Sequence, residues 1–96
     1  MNNGNFTIKE VELKLQYYCS YQDRCHKEVI EKLKTFKIIP EGVNQIISNL
    51  INENFLNETR FSKNFVRGKF KIKNWGKIRI INELKRRNIS IYNINQ

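Results

Sequence analysis

Apolar residues recur at helical spacing along most of the chain, in blocks separated by turn signals. Ile8, Val11, Leu15 and Tyr18 form one stripe at about 100° per residue, and Leu13 and Tyr17 widen it. Just ahead, Thr7-Ile-Lys-Glu10 reads as a capping box, in which the threonine oxygen and the glutamate each satisfy an open backbone N–H. A first helix is predicted over Thr7 to Tyr21. Val29, Ile30, Leu33 and Phe36 mark a second helix. It closes by Lys37-Ile38-Ile39, because the residue before Pro40 is driven out of the helical region. Pro40 suits the first turn of a third helix, whose Val43, Ile46, Ile47, Leu50 and Ile51 form a strong stripe.

Asn57 can cap a fourth helix, with Glu58 near its positive end. On this helix Phe61, Phe65 and Ile72 fall on one side and Arg60, Lys63, Arg67 and Lys71 on another, which makes a cationic ridge. Asn74 can cap a fifth helix, whose Ile80, Ile81 and Leu84 face the core while Arg79 and Arg86 project away. Ser90 opens a sixth. Lys69-Phe-Lys-Ile-Lys73 alternates as a strand would, but it also continues a helical stripe, so the chain is read as all-α with a strand as the alternative there.

Shifting the second helix by 51 positions places Val29 on Ile80, Ile30 on Ile81, Leu33 on Leu84 and Ile38 on Ile89. The preceding helices correspond too, with about four extra residues before the fifth helix. The fold class is therefore tandem three-helix repeats with the second incomplete: residues 1–6 a disordered N-terminus, 7–56 the first repeat, and 57–96 the second, truncated and strongly basic. Neither unit can bury its apolar face alone, so neighbours must stack, and an ending inside the second unit points to a longer array. Chance similarity between two amphipathic helices is the competing account.

Charge sharpens this division. The net charge is +9, yet residues 1–59 carry seven Lys and Arg against eight Asp and Glu, while residues 60–96 carry eleven against Glu83 alone. Self-repulsion of that size costs stability unless a polyanion offsets it, so nucleic acid or an acidic protein surface is the expected partner. The alternative is a merely solubilising face. No apolar run approaches the about 20 residues that span a bilayer, and Met1-Asn-Asn-Gly-Asn5 lacks the basic and apolar parts of a secretory signal. A soluble, cytoplasmic protein with reduced thiols is expected.

Catalytic chemistry has little to work with. His26 is the only histidine, and the four glycines make neither a dinucleotide turn nor a P-loop. No enzyme activity and no cofactor are expected. Cys19, Cys25 and His26 are too few and too widely spaced for a closed zinc site, so the cysteines read as buried apolar thiols. Aromatic residues among cations can stack nucleic-acid bases, but Tyr17, Tyr18 and Phe70 are spaced like core residues. Trp75, between Lys73 and Lys77 at a helix junction, stands open between an exposed stacking ring and a packed one.

Phe55-Leu-Asn-Glu-Thr-Arg-Phe61, followed by Phe65-Val-Arg-Gly-Lys-Phe-Lys-Ile-Lys-Asn-Trp-Gly-Lys-Ile-Arg-Ile-Ile-Asn-Glu-Leu84, resembles the RecX family of RecA regulators. Glu28-Val-Ile-Glu-Lys-Leu33 and Ile46-Ile-Ser-Asn-Leu50 fit its first repeat, so the resemblance covers about residues 13–90. It implies tandem three-helix repeats, usually three, lying in the groove of the RecA filament on single-stranded DNA and lowering its ATPase, strand-exchange and coprotease activities. Where the family commonly opens its second helix with a serine cap, this chain has Cys25. On this reading the first unit is largely scaffold, and Arg60, Lys63, Arg67, Lys71, Lys73, Trp75, Lys77, Arg79 and Arg86 present the binding face of a monomer. A stand-alone basic DNA-binding module and a pure protein adaptor are the rivals.

Overall fold

The computed structural model describes residues 6–89. Helix α1 (Ile8–Tyr21) starts where the capping box places it: Glu10 N–H donates to Thr7 Oγ1, and Thr7 N–H donates to Glu10 Oε1, both at 3.1 Å. Val11, Leu15 and Cys19, four apart, are its buried residues. Leu13 and Tyr17 do not widen that stripe. Each stands two residues from Leu15, about 200° round the helix, and they are 55% and 73% exposed. Phe6, expected to fall in a disordered N-terminus, instead packs edge-on against Phe36 at 5.8 Å between ring centroids.

Helix α2 (His26–Leu33) is short and buries Val29 and Leu33, while Ile30 lies on its rim. Its cap is Cys25, whose N–H donates to Glu28 Oε1 at 3.0 Å. The reciprocal half of the box rests on sulfur, a weaker acceptor than the serine oxygen of the family pattern. Helix α3 (Pro40–Asn52) has proline in its first turn and buries Ile46 and Leu50. Gly42 lies against Ile8: a Cβ there would sit 2.9 Å from Ile8 Cδ1, so a larger residue would push the end of that side chain aside. Asn49 Nδ2 to Glu12 Oε1 (2.8 Å) and Gln16 Nε2 to Glu53 Oε2 (3.3 Å) tie α3 to α1.

Helix α4 (Glu58–Arg67) continues into a π-helical turn, Gly68–Ile72, before α5 (Lys77–Arg86). Asn57 caps α4 as expected, accepting Arg60 N–H on Oδ1 at 2.9 Å. Asn74 does not cap α5; that position belongs to Gly76. Instead Asn74 has φ 59°. Asn54 and Asn88 likewise have φ 64° and 60°, each just past a helix end. After α3 and α5 the bonds Phe55 N–H to Leu50 O (2.8 Å) and Ile89 N–H to Leu84 O (3.1 Å) complete the closure in which an αL residue ends a helix. Asparagine tolerates that conformation because its short side chain can bond locally.

The caps also correct the spacing of the repeats. Asn57 follows Thr7 by 50 positions and Gly76 follows Cys25 by 51, so one extra residue separates the units' helix starts, not four. The π-turn holds it, with Lys73 N–H reaching back to Gly68 O at 3.1 Å. A wider turn advances less per residue, so Ile72 lags the stripe that α-helical spacing predicts and is 76% exposed.

Two apolar clusters result. Val11, Leu15, Val29, Leu33, Ile46 and Leu50 centre the first; Phe61, Ile80, Leu84 and Ile89 form the second together with Cys25. Two of the four paired positions of the repeat are buried in both units, Val29 with Ile80 and Leu33 with Leu84, whereas Ile30 is exposed and Ile38 and Ile81 are half-buried. Among the described residues there is no strand, and no described helix is long and apolar enough to cross a membrane. The sixth helix expected from Ser90 lies outside the described residues.

Candidate functional site

The surface of α4, the π-turn and α5 follows from what their inner faces must bury. Phe61 and Ser62 point inward on α4, Ser62 donating to Glu58 O at 2.9 Å. Lys63 and Arg67 are left outside, and Lys71, Lys73 and Lys77 are exposed along the turn and at the start of α5. The C-terminal end of α4 and the turn carries the negative pole of the helix, which favours cations there. The start of α5 is the opposite case. Gly76 gives it no side-chain cap and no acid lies in its first turn, while Lys77 adds charge to an already positive pole. An anion from outside the chain would be stabilised at that end.

Arg60 leaves the ridge. Its Nε donates to Asp23 Oδ1 at 2.9 Å, and its Nη1 and Nη2 donate to the carbonyls of Asn54 (3.0 Å) and Phe55 (3.2 Å). All three nitrogens are used inside the protein, clamping the α1–α2 loop to α4. Asn64 reinforces the clamp by donating from Nδ2 to Asp23 Oδ2 at 2.6 Å. No local spacing signals this contact, because Asp23 lies 37 residues away in a loop.

Trp75 is a packed ring, half-buried at the junction. Its half-buried ring meets Phe65 edge-on at 6.2 Å, and Phe65 stacks on Phe61 at 5.7 Å. Cations cover the same rings: Arg79 lies 3.7 Å and Lys69 4.7 Å from the Trp75 centroid, and Arg87 4.8 Å from that of Phe65. Contacts of this kind contribute about 0.5–2 kcal/mol each, and here they join α4, the turn and α5. Arg79 is consequently exposed but held, and Lys69 and Arg87 are packing residues that the sequence reading passed over. Arg86 pairs with Glu83 at 3.1 Å, and Arg87 with the same carboxylate at 2.9 Å. The Arg87 hydrogen bond holds the Glu83 carboxyl below its ordinary range. Spacings of three and four along the helix were the available signal for both pairs.

Phe70 is not a core residue. It is 59% exposed, and Val66, Ile72 and Ile78 of the same segment are exposed too. The cysteines are buried free thiols, Cys19 in the first cluster and Cys25 in the second, and burial pushes both thiol pKa values up. The described residues contain no group of three or more His, Cys, Asp or Glu placed to hold a metal ion.

Comparison with known proteins gives the following. Residues 57–96 match the family model described as RecX, second three-helix domain. Over 72 residues the chain is 36% identical to the regulatory protein RecX of Finegoldia magna, covering 75% of this chain and 35% of that protein. It is 33% identical over 73 residues to the regulatory protein RecX of Enterococcus faecalis, covering 76% of this chain and 27% of the relative. A third similar protein, from Streptococcus agalactiae serotype III and of the same name, is 38% identical over 50 residues, 52% of this chain and 19% of its own length. The matched region thus spans about a third or less of these relatives' lengths. No solved structure matches the chain.

Proposed function

Since the chain belongs to the RecX family, we propose that it is a non-enzymatic regulator that binds RecA filaments on single-stranded DNA and lowers their ATPase, strand-exchange and coprotease activities. The observation that carries this reading is the separation of charge: eleven cations against one acid in residues 60–96. Lys63, Arg67, Lys71, Lys73 and Lys77 stand exposed on one stretch of that segment. Arg79 and Arg86, each held by one neighbour, extend it. Arg60 stands apart as a fold residue. Long cationic side chains of this kind reach phosphates or an acidic protein surface without reading sequence, so shape supplies selectivity.

The test is binding to RecA–DNA filaments, naked single-stranded DNA and free RecA in parallel, for the parent and for Arg67→Glu/Lys71→Glu. If the ridge neutralises phosphates, affinity falls with salt at a log–log slope of about −0.7 to −0.9 per contact, and the double reversal weakens binding and flattens the slope. Loss on filaments and naked strand together implicates DNA; loss on filaments alone implicates RecA. Reversal at Lys9 and Lys37, exposed in the near-neutral first unit, has little effect. A doubly reversed protein that bound and inhibited like the parent would reduce the ridge to a solubilising surface.

A further inference from the structure

The face of α1 turned away from the core is not a purely polar one. Leu13, Tyr17 and Tyr21 recur every four residues along it and are 55%, 73% and 74% exposed. They border an open groove of about 850 Å³ beside α2, floored by Tyr18, Phe6 and Phe36. Three cations line the same groove: Lys14, Arg24 and Lys32. No Asp or Glu is among the described residues that line it. Arg24 is set in place, its Nε donating to Tyr18 O at 3.0 Å and its guanidinium lying 3.8 Å over the Tyr18 ring. The terminal Nη groups of such an arginine form the fork that suits phosphate oxygens.

We propose that this groove binds single-stranded nucleic acid, stacking bases on Tyr17 and Tyr21 and holding phosphates with Lys14, Arg24 and Lys32. Exposed aromatic rings bordered by cations and free of acids are the combination that single strands use, because every base has a stacking face and every link carries a negative charge. A groove for an apolar protein helix would be lined chiefly by aliphatic side chains; Leu13 is the one aliphatic residue here. Tyr17 and Tyr21 lie about 6 Å apart along the helix axis, within reach of neighbouring nucleotides. The register of the repeats adds a second argument. With the caps Thr7 and Asn57 superposed, Leu13, Tyr17 and Tyr21 fall on Lys63, Arg67 and Lys71. One helix face therefore carries stacking groups in the first unit and phosphate-binding groups in the second.

The experiment compares the full chain's affinity for a labelled oligothymidylate and for an abasic strand of the same length. Tyr17→Ala/Tyr21→Ala should bind oligothymidylate at least about tenfold more weakly, since each stacked base contributes on the order of a decade, and should bind the abasic strand as the parent does. Tyr17→Phe/Tyr21→Phe keeps the rings and should match the parent on both strands, while Lys14→Glu/Lys32→Glu should lose affinity for both. Thermal unfolding of each variant confirms the fold. Parental affinity of the alanine variant for oligothymidylate, or equal losses on both strands, would overturn the proposal. So would unchanged oligothymidylate binding accompanied by lost filament inhibition, which would make the groove a protein-docking site. No RecA is needed for the base-stacking arm. The Arg67→Glu/Lys71→Glu variant should still prefer oligothymidylate to the abasic strand, so the groove and the ridge fail separately.

Discussion

Asp23 and Arg60 join the α1–α2 loop to α4: one carboxylate receives Arg60 Nε at 2.9 Å on one oxygen and Asn64 Nδ2 at 2.6 Å on the other. Arg60 is about two-thirds buried, and its other nitrogens hold the carbonyls that follow α3. Arg60→Ala should therefore destabilise by about 1–3 kcal/mol, the range for hydrogen bonds to charged groups. Arg60→Lys should recover little of it, because an ammonium cannot reach three acceptors in three directions. The salt slope of DNA binding should be unchanged in both. Denaturant unfolding and a salt titration decide the matter; a flattened slope without loss of stability would return Arg60 to the binding ridge.

Leu33 and Leu84 occupy the same repeat position, each 1% exposed, in different clusters. Truncating either to alanine should cost roughly 2–5 kcal/mol. A thermal melt that found one of them neutral would remove that residue from the core and weaken the repeat.

Asn88 tests the helix endings. At φ 60° it should accept glycine with stability within about 1 kcal/mol of the parent, whereas Asn88→Val should lose about 1–3 kcal/mol, because a β-branched residue is strained there. Equal melting temperatures for the two variants would show that the αL closure contributes nothing.

Cys19 and Cys25 should behave as packing groups. Replacing both with serine should lower stability while leaving the proposed filament and DNA binding in place, and elemental analysis of the parent should find no stoichiometric zinc. Because burial pushes both thiols up, their reaction with thiol reagents near neutral pH should wait on unfolding. One zinc per chain, or fast labelling of the folded protein, would contradict this.

The order of the five described helices and the centres of their cores were legible in the sequence because each depends on local periodicity. Val29, Leu33, Ile46, Leu50, Ile80 and Leu84 are buried where their spacing puts them. Contacts between units were not legible. Arg60 has the spacing of a ridge residue, and only the fold brings Asp23 to it. Asn57 and Asn74 both read as caps, yet Asn57 accepts a bond from a helix start and Asn74 adopts the left-handed turn that ends one. Composition alone does not separate those uses. Tyr17 and Phe70 have the helical spacing at which aromatics usually pack, but the packed faces of α1 and the π-turn lie elsewhere.

One residue added to an α-helix turns everything beyond it by about 100°, enough to send a buried side chain toward water. The wide turn at Gly68–Ile72 takes up the addition on the spot, as a leap day is absorbed by one month and leaves the next to begin in season. Ile80 and Leu84 consequently come inward in step with Val29 and Leu33. An array built this way can lengthen by a count its helical arithmetic does not allow, and the bulge it leaves, with Phe70, Lys71 and Ile72 thrown outward, is new surface gained at no loss to the ladder behind it.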